Sequence, residues 1–120
     1  DILITRSGTI GKVTYATKDL AENYLISDDL VRIRVKDDNL RAYLLAYFTS
    51  STALSLMLLD EYGSVQQHLQ TRHIQEMIVP VPDSWDQVAD MIAAGRKLIK
   101  AMETLSDAGN TIRNQGFDAF

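Results

Sequence analysis

From Val88 onward, apolar or small residues recur in alternating steps of three and four: Val88, Met91, Gly95, Leu98, Met102, Leu105, Gly109 and Ile112. Such a heptad seam is compatible only with a long helix that has a strip to bury. Ile92 and Ile99 widen the strip on one side, and Ala94, Ala101 and Ala108 on the other. A lone surface helix does not need so broad a face. Glycine inside a helix costs up to ~1 kcal/mol relative to alanine, so Gly95 and Gly109 predict close approach by another helix. The eight seam positions are read as a surface that docks a partner helix; the plainer alternative is packing on the helix's own domain. Ser84 with Gln87, or Asp83 with Asp86, supplies a capping-box start.

Ahead of that helix the pattern is mixed. Asp1–Arg6 reads as a buried strand, the Ser7-Gly8-Thr9-Ile10-Gly11 segment as a turn, and Gly11–Ala16 as the returning strand. In Leu30–Lys36, Val31, Ile33 and Val35 alternate with Arg32, Arg34 and Lys36, which predicts a half-buried strand. Asp37-Asp38-Asn39 caps a helix whose apolar positions are Leu40, Tyr43, Leu44, Tyr47 and Phe48. Ser50-Ser51-Thr52 breaks or recaps it before a second helical stretch, Ala53 to Tyr62, that ends at Gly63. Thr71 is expected to cap a short turn through Glu76, and Met77–Val81 to form a strand that Pro80 confines to an edge. The predicted class is α+β: a small mixed domain over residues 1–82, then a coiled-coil-type helix over 83–120.

Several chemistries fall away on residue type and spacing. There is no cysteine, which excludes disulfides and thiolate metal sites. No apolar run approaches the ~20 residues that span a bilayer, and no membrane partner is expected. Gly8 and Gly11 stand two residues apart, with Val13 after Lys12, so the phosphate-loop spacing fails. The same glycines match the GXXG clamp literally, but here they join strands and not helices. His68 and His73 are five apart, which misses the spacing of a helical zinc pair. Ser7 and Ser64 lack a nucleophile elbow, and the paired carboxylates sit in turn or cap composition. No catalytic residue, metal site or bound cofactor is predicted.

Two features fit nucleic acid. Arg32, Arg34 and Lys36 would project from one strand face at ~6.6 Å intervals, a stripe able to follow phosphates or simply to face solvent. The cluster Gln66, Gln67, His68, Gln70, Thr71, Arg72, His73 is dense in groups that pair with base edges. Arg6 and Lys12 flank the glycine turn within reach of a phosphate. The net charge of −4 opposes this reading mildly, but residues 1–36 hold six Lys/Arg against five Asp/Glu. The DNA-binding set is therefore Arg6, Lys12, Arg32, Arg34, Lys36, Gln66, Gln67, His68 and Arg72.

Taken in order, Asp1-Ile2-Leu3-Ile4 with Gly8, Ile10, Gly11 and Lys12, Tyr43-Leu44 with Phe48, Gly63 followed by Leu69 and Ile74, and Ile78-Val79-Pro80-Val81-Pro82 leading to Gln87 form a spaced signature. It resembles the specificity subunit of type I restriction–modification systems: the later half of a target-recognition domain plus its following conserved helix. Asp86 stands where that family usually has Glu, and Trp85 is unusual there.

The resemblance implies sequence-specific recognition of double-stranded DNA by a non-catalytic component in the prokaryotic cytoplasm. Its partners would be a modification subunit that methylates a flipped adenine with S-adenosylmethionine, a restriction subunit, and a second helix within or between chains. It also implies that Asp1 lies inside a longer protein, with base-reading loops preceding it. No Asn-Pro-Pro-aromatic methylase motif occurs, since both prolines lie in Val79-Pro80-Val81-Pro82. The alternatives are a recognition region fused to an N6-adenine methyltransferase in one chain, and a helical assembly module without DNA binding.

Overall fold

The computed structural model describes residues 1–6, 9–18, 30–59 and 68–115. Three short strands, β1 (Ile2–Thr5), β2 (Val13–Tyr15) and β3 (Leu30–Ile33), form an antiparallel sheet in the order β2-β1-β3. Central β1 pairs Ile2 with Tyr15 on one side and with Ile33 on the other. Its residues Ile2, Leu3 and Ile4 are all buried, so both faces of this strand are covered. The β1–β2 connection turns at Gly11, whose φ of +84° is the left-handed conformation that glycine adopts without a Cβ penalty. A Cβ there would also lie 2.7 Å from Leu54 Cδ1.

Four helices follow: α1 (Asp38–Thr49), α2 (Ser51–Leu58), α3 (Thr71–Glu76) and α4 (Ala89–Asn114). The Asp37 carboxylate accepts from Leu40 N at 2.7 Å, the cap that the acidic run predicts. Ser50 ends α1 and starts α2, its hydroxyl accepting from Ala53 N at 3.2 Å. Helix α1 buries Ala42, Tyr43, Leu45, Tyr47 and Phe48 in a core shared with Ile2, Ile4, Val31, Met57, Leu69 and Ile92.

Four local expectations change. First, β3 stops at Ile33, short of Lys36. The Arg41 guanidinium takes the Val35 and Lys36 carbonyls as the chain turns into α1. Second, the helix after Ser50 ends at Leu58; Tyr62 and Gly63 lie outside the described residues. Third, Thr71 is the first residue of α3, and Gln70 holds the cap position without a side-chain bond. Fourth, residues 77–82 form no ladder among the described residues. Pro80 and Pro82 have no N–H to give a neighbouring strand, the Tyr43 hydroxyl donates to the Pro80 carbonyl, and Ile78 is 89% exposed.

Ser84 and Gln87 form a reciprocal capping box, but it opens a 3-10 turn, Trp85–Val88, from which α4 continues. Helix α4 packs chiefly on α1, and Ile92 belongs to the main core, so a single core runs across residue 83. Among the described residues no helix is long and apolar enough to cross a membrane.

Candidate nucleic-acid interface and docking face

Leu69 is fully buried, between the exposed His68 and Gln70. Its backbone is held from two directions. Leu69 N donates to the Arg6 carbonyl at 2.7 Å, and Arg6 Nε donates to the Leu69 carbonyl at 2.9 Å. A few residues on, His73 Nε2 lies 2.9 Å from the Leu56 carbonyl, and Ile74 packs against the core. Among the described residues, exposed Arg72 makes one loose pair, with Glu76 at 3.9 Å. Such a solvated i,i+4 pair is worth little, so the guanidinium is available to a stronger acceptor. Gln66 and Gln67 lie outside the described residues.

Lys12 is exposed on the hairpin, its backbone bonded to Thr5 through the Thr5 N to Lys12 carbonyl bond at 3.0 Å. It therefore shares the end of the sheet with Arg6 and His68. Arg32 pairs with Leu3, about 10 Å along β1 from Arg6 at ~3.3 Å per strand residue, and Arg34 lies beyond it towards Asp1. Sequence alternation placed Arg32, Arg34 and Lys36 in one stripe; only Arg32 lies within the strand. Both arginines turn back to Asp1, each with Nε 3.4 Å from a carboxylate oxygen. Their side chains stay 48% and 67% exposed. Two guanidiniums on one carboxylate leave a net positive site that a phosphate can compete for. Lys36 is exposed beyond them.

A cleft of about 350 Å³ separates β3 from α3, lined by Phe48 and Ile74 with Arg32, Arg34, Thr71 and Gln75 around it. Helix α3 thus stands between the two cationic groups, tied near its start to Arg6 and facing Arg32 and Arg34 across the cleft. Sequence reasoning found the cations and missed what positions them. The buried Leu69 and the two-way Arg6 bond have no periodic signature, because both depend on contacts between distant segments.

The seam of α4 is corrected in one respect. Gly95 is buried, and a Cβ on it would meet the Ala42 carbonyl oxygen at 2.0 Å, so its close helix neighbour is α1 of the same chain. Val88 and Met91 pack at the edge of the core with Ile99, and Met102 accepts a long contact from the Thr14 hydroxyl at 3.7 Å. Gly95 is thus occupied by α1, and Val88, Met91 and Met102 are half-buried where the narrow waist at Gly95 draws this side of α4 onto its own domain. Gly109 is half-buried. Leu98, Leu105 and Ile112, spaced by seven, are 39%, 69% and 52% exposed. Ala94, Ala101 and Ala108 are exposed beside them, so a second seam survives on the outer face.

Among the described residues no group of three or more His, Cys, Asp or Glu side chains is placed to hold a metal. Neither a curated protein nor a solved structure matches the chain. The family model for the type I restriction modification DNA specificity domain matches residues 1–113, which takes in the sheet, the α3 segment and nearly all of α4. The chain therefore belongs to the type I restriction modification DNA specificity domain family.

Proposed function

We infer that this chain recognises double-stranded DNA as a non-catalytic component of a restriction–modification complex, with α3 and the residues leading into it at the DNA. The observation that carries this reading is the position of α3 between exposed Lys12 at one end of the sheet and the exposed pair Arg32 and Arg34 across the cleft. Phosphate contacts fix register while side chains such as Gln70 and Arg72 reach base edges. Gln66, Gln67 and His68 extend the same segment in sequence. The test is duplex binding by the full-length protein with co-purifying subunits, over a salt series. Neutralising Arg32 and Arg34 should lower affinity and flatten its salt dependence.

Methyl transfer is assigned to a modification subunit carrying S-adenosylmethionine, or to a methylase part of the same polypeptide outside these residues. A restriction subunit would join the same assembly. The outer seam of α4 supports a docking role: Leu98, Leu105 and Ile112 form one column and Ala94, Ala101 and Ala108 the other. Large residues opposite small ones let a second helix approach closely. Along the outer seam, between Ala94 and Ile112, charge reverses from Arg96, Lys97 and Lys100 to Glu103 and Asp107, which suits an antiparallel helix of the same kind, within or between chains.

A further inference from the structure

We propose that Arg6 is a positioning residue for base readout and not a phosphate contact, a role that rests on the DNA-reading assignment of the α3 segment. Charge alone places Arg6 with Lys12 as a backbone-binding cation. The geometry gives it different work. Arg6 is half-buried, and its Nε–H is committed to the Leu69 carbonyl at 2.9 Å. Its own carbonyl receives the Leu69 amide at 2.7 Å. A main-chain bond and a side-chain bond thus close a ring between two residues 63 positions apart.

The residue held in that ring separates two exposed side chains, His68 and Gln70, and Arg72 follows within the first turn of α3. Leu69 adds its fully buried side chain as a third attachment, and His73 on the Leu56 carbonyl a fourth farther along. A short helix without a side-chain cap at its start has little rigidity of its own. Its pose is therefore set by these attachments. Discrimination between base pairs depends on donors and acceptors held within a few tenths of an ångström, whereas attraction to phosphate tolerates movement. Loosening Arg6 should thus blur sequence discrimination before it weakens general affinity.

The decisive variants are Arg6→Lys and Arg6→Met in the full-length protein with its native partners. Affinity is measured for the specific duplex and for a scrambled duplex across a salt series, alongside hydrogen exchange at the Leu69 amide. A positioning role predicts that both variants lose about tenfold in the ratio of specific to non-specific affinity. It also predicts faster exchange at Leu69, with the non-specific salt slope unchanged. A phosphate contact predicts the reverse: Arg6→Lys is silent, while Arg6→Met lowers both affinities together and reduces the slope by about 0.9. That result overturns the proposal, as does an unchanged ratio in both variants. Wild-type protein that binds the two duplexes equally would instead refute the DNA-reading assignment and the positioning role with it. In that event faster exchange at Leu69 would identify Arg6 as a purely structural tie.

Discussion

Gly95 on α4 and Ala42 on α1 touch backbone to backbone: a Cβ on Gly95 would stand 2.0 Å from the Ala42 carbonyl oxygen and 2.9 Å from its Cα. This crossing fixes how the long helix leaves the domain, and it decides which side of the heptad seam stays open.

The first prediction concerns that crossing. Alanine is the better helix former by ~1 kcal/mol, so propensity alone would make Gly95→Ala stabilising. Backbone atoms cannot move aside as a flexible side chain can, so the helices must separate. We expect a net loss of about 1–3 kcal/mol, read as a lower urea midpoint at an unchanged slope. A midpoint at or above that of the wild type would show that the helices are not in contact at this position.

The second concerns Asp37. Its carboxylate caps α1 at 2.7 Å from Leu40 N, on the exposed rim of the domain. Asp37→Ala should lose about 1 kcal/mol of unfolding free energy, whereas Asp37→Asn, which keeps an acceptor, should lie close to wild type. Equal losses in both would point to charge and not capping.

Tyr43 gives a third. Its ring is 4% exposed, its hydroxyl donates to the Pro80 carbonyl, and its centroid is 5.6 Å from that of Trp85. Tyr43→Phe removes the bond and keeps the ring, so stability should fall by about 1–2 kcal/mol with little change in Trp85 emission. A large emission shift would mean that the bond, and not ring packing, seats residues 77–85.

A fourth tests the two arginines at Asp1. Asp1→Asn removes the shared carboxylate and leaves Arg32 and Arg34 free for phosphate. Duplex affinity should rise, and the logarithmic salt slope steepen, in the direction opposite to the loss of about 0.9 per phosphate contact expected for each arginine removed. Lower affinity in Asp1→Asn would indicate that the carboxylate is needed to aim the arginines.

Leu98→Glu with Leu105→Glu forms the fifth. Both side chains lie on the outer face of α4, so the domain should keep its unfolding midpoint while co-purification with partner subunits is lost. An intact complex would contradict the docking role.

Local chemistry was legible wherever a few neighbouring residues decide the outcome. The Asp37 cap and the Ser84–Gln87 box form as their spacing predicts, because a cap needs only groups within one turn. The heptad also read correctly as a long helix. Which face of that helix turns inward was not legible, since Gly95 announces a close neighbour without naming it. β3 ended early for a related reason: alternation runs to Lys36, but the Arg41 guanidinium, from a later helix, takes the Val35 and Lys36 carbonyls. Of the interface, the cations could be listed from sequence. The tie between Arg6 and Leu69 spans 63 residues and had to be seen folded.

DNA reading by the α3 segment is tested by mapping methylated adenines in DNA from cells expressing the full-length protein with its modification partner. Wild type is compared with the triple variant His68→Ala, Gln70→Ala and Arg72→Ala. Base readout by the α3 segment should give site-specific methylation in the wild type, and a lost or relaxed pattern in the variant at constant protein level. An identical methylation pattern in the two would contradict it.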